Sequence, residues 1–563
     1  LVRRFARTHG PFTLRDAAER FALDAAVVET ALHQLAAEGR VLEGGFRPGG
    51  LHREWCDAEI LRQIRRKSLA KLRRQVEPVE PHTLARFLTH WQGLLAPRRT
   101  ANAQLDALLD AVESLQGAPI PASLLESSIF PARIPGYSSA HLDTLIAAGE
   151  VAWAGVEPLG ERDGRIALFL ADKLPLLAQS RPLAEPLTER EEKLLAVLES
   201  SGASFFESLH QAVGGGYPGE SIDALWSLVW RGLITNDSLH ALRSYIARPE
   251  SSRASRRMRT GTPADRSSSA GWNAGTAFRS RRTTPPNAQG RWSLLSVRAQ
   301  QGSEAAPTRT EASHALALQL LHRYGILLRE SVAAENVPGG FSAVYDVLKA
   351  LEESGRIRRG YFVSGLGATQ FALPAAIDLL RQLRTEPPEE KPEFVQLSAA
   401  DPANPYGSAL RWPELPAESD ELRAGAPADR SSSAGRETSP RILSRAAYAE
   451  VILRNGRLVA WLRRNNPNIL VFLPPDEPER AHTAAGLAHF LCQRGQQRMR
   501  EAGHHGVLIT TVNGLPVAAH RLARFLMDAG FYSGPLGMHL RRLPHPLTLP
   551  QEPAHDAAPE ELQ

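Results

Sequence analysis

Four times along the chain the apolar positions fall into one phrase: leucine, two residues, leucine, three residues, glycine, one residue, then valine or isoleucine. It runs through Leu32, Leu35, Gly39 and Val41; Leu142, Leu145, Gly149 and Val151; Leu225, Leu228, Gly232 and Ile234; and Leu348, Leu351, Gly355 and Ile357. Leucines three apart share one face of a helix. A glycine just past the last leucine supplies the left-handed cap that stops the helix, and the β-branched residue beyond it starts a strand. Helix, glycine stop and strand are the last helix and wing of a winged-helix domain. Four copies predict a tandem array of nucleic-acid-binding modules.

The remaining pattern fills in each module. In residues 1–78, Thr13 precedes a short helix at Arg15–Phe21, Ala22-Leu23-Asp24 turns the chain, and Ala25–Glu38 forms a second helix. Val41–Phe46 with Gly44 and Gly45 then reads as a short hairpin. The outward face of the second helix carries Asp24, Glu29, His33 and Gln34 with almost no arginine, which fits packing or dimerisation better than base reading. Residues 79–180 form a second winged-helix-like module: an amphipathic helix Thr83–Gly93, helices at Leu105–Leu115 and from Pro119, and a hairpin around Asp163-Gly164. Residues 181–246 and 311–375 give the third and fourth winged helices.

Between them, residues 247–310 read as a low-complexity linker, and 376–445 as an extended segment and linker. Both contain one nonapeptide, at Pro263–Gly271 and Pro427–Gly435. Residues 446–545 turn β-rich, with a hairpin of Tyr448–Leu453 and Leu458–Leu462 around Asn455-Gly456, and 546–563 read as a disordered acidic tail. The expected fold is mainly α with β wings: tandem winged helices followed by a β-rich, barrel-like C-terminal module.

Length and composition narrow this little further. A chain of 563 residues should divide into roughly three to five domains. Its 43% hydrophobic and 23% charged residues are those of soluble globular protein. No apolar run approaches the roughly 18 residues of a membrane span, so no membrane partner is expected. The chain opens at Leu1 inside an apparent domain, as a piece of a longer polypeptide would. Two cysteines, Cys56 and Cys492, cannot make a disulfide framework, and no Cys/His spacing suits zinc; a reducing cytoplasm fits.

A net charge of +5 does not by itself establish nucleic-acid binding, so the distribution decides. From Arg53 to Arg74 eight basic residues face three acidic ones on a helical pattern. Arg53, Arg62, Arg65, Arg66, Lys67, Arg73 and Arg74 are therefore candidate phosphate contacts, with a plain solvated helix as the rival. Arg356, Arg358 and Arg359 form a second candidate set at the root of the fourth wing, beside Tyr361. For catalysis, Gln92 closes an amphipathic helix where a carboxamide could meet a base edge or a water. Asp401, in an Asp-Pro-x-Asn turn, could position water with its carboxylate. Gly214-Gly215-Gly216 lacks the following Lys-Ser/Thr of a phosphate-binding loop, and no Gly-Lys dipeptide occurs anywhere.

Several phrases carry a family resemblance: Phe5–Phe12, Gly49–Cys56, Ala85-Arg-Phe-Leu with Trp91-Gln92-Gly93, Ala132–Tyr137, Leu228–Asp237, Gly290–Leu295, Tyr324-Gly325, Gln370–Pro374 and Ser398–Pro402. In these, in a consistent order, the chain resembles the C-terminal half of the large helicase-related (Lhr) proteins, bacterial superfamily 2 DNA helicases. A part is also similar to AlkZ-type DNA glycosylases.

The resemblance implies an ATP-dependent motor outside this chain, where ATP and magnesium would bind, with no cofactor in this segment. It further implies DNA partners, single-stranded or forked, or an RNA–DNA hybrid; a role in repair; and self-association. The AlkZ-type Gln-x-Gln or Gln-x-Asp pattern falls here on His90-Trp91-Gln92, which keeps one glutamine. Two functions follow from the family: a DNA-binding and oligomerisation region of a repair helicase, or a glycosylase that removes uracil or an alkylated base, with Gln92 and Asp401 as its catalytic candidates.

Overall fold

The computed structural model describes residues 1–47, 53–74, 77–95, 104–178, 185–247, 284–300, 307–389, 391–415, 443–502 and 506–540, without the side chains of 69–74, 298–300 and 501–502. Two compact units result: Leu1–Glu386 with Asp401–Arg411, and Pro387–Ala400 with the chain from Trp412 onward. Both copies of the serine-rich nonapeptide and the tail 546–563 lie outside the described residues.

In the first unit the recurring phrase folds the same way each time. Its helices are Ala25–Ala37, Ser139–Ala147, Pro218–Trp230 and Ser342–Glu353. The first leucine of each, Leu32, Leu142, Leu225 and Leu348, is 0% exposed. Gly39, Gly149, Gly232 and Gly355 take φ of +68°, +81°, +70° and +77°. The N–H of the following residue then reaches back to the carbonyl of the second leucine (Leu35, Leu145, Leu228 or Leu351) at 3.0–3.1 Å. This is the Schellman closure, and it satisfies a carbonyl that the helix end leaves without a partner.

Each stop feeds a small antiparallel sheet. The strands are β1 (Phe12–Thr13), β2 (Val41–Gly44) and β3 (Glu54–Asp57); β4 (Ile120–Pro121), β5 (Val151–Pro158) and β6 (Gly164–Leu170); β7 (Ser204–Phe205), β8 (Ile234–Asn236) and β9 (Arg291–Leu294); and β10 (Ile326–Leu327), β11 (Arg358–Gly360) and β12 (Gln370–Ala372). In all four sheets the last strand in sequence lies between the other two: β1-β3-β2, β4-β6-β5, β7-β9-β8 and β10-β12-β11. Helix-rich modules, each with a three-stranded wing sheet, are thus the architecture of this unit.

Three expectations need correction. The first wing does not close at Phe46. Its return strand is β3, taken from the start of the basic stretch, because Trp55 and Cys56 are buried and the Glu54 carboxylate accepts the backbone N–H groups of Phe46 and Arg47 at 2.7 and 2.9 Å. Residues 247–310 are not linker throughout. β9 completes the third sheet, anchored by Trp292 at 0% exposure, and is followed by a helix at Leu295–Gln300. Residues 376–445 are likewise not all extended: helix Pro374–Gln382 runs into them, and β13 (Phe394–Ser398) lies among them.

Long-range packing joins segments distant in sequence. Helix Pro81–Trp91 packs on helix Pro374–Gln382, and Val79 bonds through its backbone to Phe362 and Ser364. Arg86 donates to the carbonyls of Leu383 and Thr385 at 2.9 and 2.7 Å. Where the second and third modules meet, a side chain at Gly155 would sit on the Val229 carbonyl and one at Gly164 on the Trp230 indole. Only glycine permits that approach.

The second unit holds an open six-stranded sheet of β13, β14 (Ala449–Arg454), β15 (Arg457–Arg463), β16 (Asn468–Val471), then past β17 (Val507–Ile509) β18 (Thr511–Val512) and β19 (Leu515–Pro516). Neighbours are antiparallel except β16 and β18. β17 instead joins β20 (Tyr532–Gly534) and β21 (Gly537–Leu540) in a three-stranded sheet. The Asn455-Gly456 turn forms as its sequence predicts, with φ of +50° and +82°. Helix Glu479–Ala502 covers a core that includes Ile452, Val459, Leu487, Val512 and Leu526. The unit is β-rich, but its described strands make an open sheet with edges and no closed barrel.

One buried carboxylate gives this unit a pH limit. Glu450, 7% exposed, accepts from Gln396 Nε2 at 2.5 Å and Arg498 Nη2 at 3.0 Å, with Arg464 at 3.5 Å. Burial alone would push its carboxyl up, but Arg498, Arg464 and Gln396 together hold it below the usual carboxylate range. A depressed folded-state value stabilises the fold above the unfolded-state value, and that stabilisation is lost as pH falls through the folded one. Unfolding followed by Trp461 fluorescence should show stability falling below about pH 4–5. Glu450→Gln should flatten this acid limb while lowering stability at neutral pH; an unchanged limb would show that other groups set it.

Candidate nucleic-acid interface and buried carboxylate site

The basic stretch after β3 becomes helix Ala58–Arg74, and this helix packs beside β11, the strand of the fourth wing that holds Arg358 and Arg359. Two basic segments nearly three hundred residues apart in sequence thereby lie on neighbouring elements. Their members are not equivalent. Arg53 precedes β3 and pairs with Glu43 at 3.1 Å, and Arg62 pairs with Glu59 at 2.9 Å. Arg359 lies over the Phe371 ring at 5.8 Å and donates to Thr369 Oγ1 at 3.2 Å. Arg65, Arg66, Lys67 and Arg356 are exposed and Arg358 is half-buried; none has a carboxylate partner among the described residues. The side chains of Arg73 and Arg74 lie outside the described residues.

The two catalytic candidates also converge, through a residue that sequence reasoning did not select. Gln92 caps helix Pro81–Trp91, which stops because Gly93 takes φ of +72°. Trp91 stacks on Phe87 at 5.6 Å and donates to the His322 carbonyl at 2.8 Å. That docking aims Gln92 inward, with Nε2 on the Arg323 carbonyl at 3.2 Å and Oε1 facing Arg133 Nη2 at 2.6 Å. Asp401 forms the turn its sequence predicts, Oδ1 accepting from Ala403 N at 2.8 Å.

Both of its oxygens also receive Arg133, Oδ2 from Nη1 and Oδ1 from Nη2, each at 2.8 Å. Gln92 and Arg133 are 8% exposed and Asp401 1%. Arg133 sits on a one-turn helix just after a π-helical turn, Leu125–Ile129, and its Nη1 caps the Ile129 carbonyl at 3.1 Å. A π turn widens the helix and frees a carbonyl of this kind, and such turns recur at functional sites. Arg133 Nε makes no hydrogen bond among the described residues. Chemically, the fork-to-carboxylate geometry holds both Asp401 oxygens in a dry setting, beside a carboxamide whose orientation is set from both ends.

No group of three or more His, Cys, Asp or Glu side chains among the described residues could hold a metal ion, and no described helix is long and apolar enough to cross a membrane. Two family models, both described as a winged-helix domain of large helicase-related proteins, match residues 79–171 and 306–392. Residues 79–171 and 306–392 are thus winged-helix domains of the large helicase-related kind. It is 37% identical over 96% of its length to an "Lhr helicase/ probable uracil glycosylase" of Mycolicibacterium smegmatis. It is 35% identical, also over 96%, to an "Lhr helicase/uracil glycosylase" of Escherichia coli. The match covers 33% of each relative, so the chain spans about a third of their length. Among solved structures, Streptomyces sahachiroi DNA glycosylase AlkZ aligns with a TM-score of 0.42 and 15% identity, over 77% of this chain and 99% of that one.

Arg133 lies in Ala132–Tyr137, a phrase that carries the Lhr resemblance. Its sequence signal was an arginine among apolar neighbours (Ile129, Phe130, Ile134), where a buried charge must find a partner. No sequence spacing identifies that partner as Asp401.

Proposed function

We propose that this chain is the DNA-binding region of an Lhr-type helicase, holding duplex or forked DNA while an ATP-dependent motor elsewhere in the parent protein translocates. The observation that carries this is the packing of helix Ala58–Arg74 beside β11. It groups Arg65, Arg66 and Lys67 with Arg356 and Arg358, cations without carboxylate partners among the described residues. Such a surface binds phosphates irrespective of sequence and positions a strand without reading it. Repair, self-association and a cytoplasmic location belong to the same proposal. Gel retardation of forked, duplex and RNA–DNA hybrid substrates tests it, with retardation expected at submicromolar protein in low salt.

A second function is favoured by a separate observation, the convergence of Gln92 and Asp401 on Arg133. Removal of uracil needs a carboxylate to stabilise positive charge on the sugar and orient water, and a pocket for the extruded base. Asp401 meets the first need. Both its oxygens are engaged, so the reaction requires that bound DNA draw the carboxylate and Arg133 apart. The relatives' names point to uracil as the base. Without ATP, uracil-containing DNA treated with this chain and then alkali should be cut at the uracil. Asp401→Asn should lower cutting by about 10²–10⁴-fold and Gln92→Ala by less, with DNA retention unchanged. Equal cutting by wild type and Asp401→Asn would remove Asp401 from the chemistry.

A further inference from the structure

The π turn that precedes Arg133 carries a charged cluster that neither function uses. A π turn is a rare departure from the α-helix, so contacts from outside must hold Leu125–Ile129 in it. Glu126 supplies them. Its Oε1 accepts from Tyr137 Oη at 2.8 Å and from Arg243 Nη2 at 2.9 Å, and its Oε2 from Arg243 Nε at 2.7 Å. Arg243 thus grips the carboxylate with two parallel bonds, the strong arrangement for this pair. Its Nη1 donates to Asp143 Oδ2 at 2.9 Å, and its Nη2 lies 2.8 Å from Asp143 Oδ1. The Arg243 and Glu126 side chains are 30% and 23% exposed, so much of the cluster is shielded from water.

The partners come from separate elements. Gly136, at φ of +74°, turns the chain back after Arg133, and the Tyr137 ring packs on Phe130 at 5.3 Å with its hydroxyl on Glu126. Burial and the Glu126 carboxylate push the Tyr137 hydroxyl up, so it stays a donor. Asp143 lies on helix Ser139–Ala147 of the second module, and Arg243 on helix His240–Ile246 of the third.

Arg133 therefore sits inside a closure. Glu126 precedes it, Tyr137 follows it, and the bond between the two ties the chain together on either side. Arg133 reaches Gln92 and Asp401 through its Nη atoms, while its Nε makes no hydrogen bond among the described residues. No bond at Nε steadies the stem of the side chain, so the backbone that carries it must set its place.

We propose that Glu126, clamped by Tyr137 and Arg243, is a positioning residue for the buried ion pair, fixing the π turn from which Arg133 reaches Asp401. Through Arg243 the third module takes part in setting that geometry. The clamp stands on these hydrogen bonds alone; its bearing on catalysis rests on the reading of Asp401 as a catalytic carboxylate.

The test uses the full chain and has two arms. In the first, isotope-labelled arginine is followed by NMR, where a guanidinium held from two sides rotates slowly and keeps separate Nη–H signals. Signals missing from Arg133→Met belong to Arg133. Tyr137→Phe, which removes only a hydroxyl, and Arg243→Gln should merge or broaden them. Arg291→Gln, which breaks an ion pair with Asp237 in the same third module, should leave them separate. If circular dichroism shows that Arg243→Gln unfolds, Tyr137→Phe alone decides. In the second arm, Tyr137→Phe and Arg243→Gln should lower kcat for uracil cutting by about tenfold or more and leave KM within about twofold.

Arg133 signals that stay separate in both variants overturn the proposal, as does an equal loss in Arg291→Gln. Altered signals with an unchanged kcat overturn the bearing on catalysis. If the wild type cuts no uracil, the catalytic reading of Asp401 falls, and the first arm still confirms or overturns the clamp.

Discussion

Arg133→Met is expected to destabilise the first unit by about 3–5 kcal/mol, the cost of stranding a buried carboxylate whose partner has been removed. Asp401 is 1% exposed and receives two guanidinium nitrogens at 2.8 Å, so no water can replace them without opening the structure. The pair also ties the turn at Asp401 to the π-helical segment of the second module and, through Gln92, to the helix that docks on the fourth. Urea unfolding of wild type, Arg133→Met, Asp401→Asn and the double variant completes a cycle. The double variant should recover part of the loss, because two neutral groups replace one unpaired charge. A single-variant loss under about 1 kcal/mol, typical of exposed pairs, would mean that the carboxylate reaches solvent.

The second large effect concerns DNA. Reversing Arg65, Arg66, Lys67, Arg356 and Arg358 together to glutamate should weaken duplex binding by about 10²–10³-fold at low salt. Reversing Arg53 alone should do little, because Glu43 already pairs with it at 3.1 Å. The contrast separates a surface organised for phosphate from a uniformly basic one. Comparable losses from Arg53→Glu and from the fivefold variant would show that bulk charge, rather than this juxtaposition, governs binding.

Much of the fold was legible because its signals are local. The leucine pair and glycine specify a helix, its stop and the next strand within ten residues, and all four copies obey. Asn455-Gly456 specified its hairpin for the same reason, since both positions need positive φ. What escaped was pairing at a distance. β9 lies beyond a long serine- and arginine-rich segment, and its neighbours give no hint that Trp292 is buried. β3 was hidden because Glu54 and Asp57 look like part of a basic helix until the backbone N–H groups that Glu54 accepts are known.

The sites divide in the same way. Gln92 and Asp401 could be named singly from the residues around them. Their common partner Arg133, and the meeting of two basic segments on adjacent elements, depend on tertiary contacts that no spacing encodes.

The most direct test of the DNA-binding surface is the salt dependence of duplex affinity for the wild-type chain and for the fivefold variant. With about five phosphates engaged, log K against log salt should fall with a slope near −4 to −5 in the wild type and flatten by about 0.9 for each cation reversed. A shallow wild-type slope, or a steep one that the variant leaves unchanged, would contradict the assignment of helix Ala58–Arg74 and the fourth wing as the phosphate-binding face.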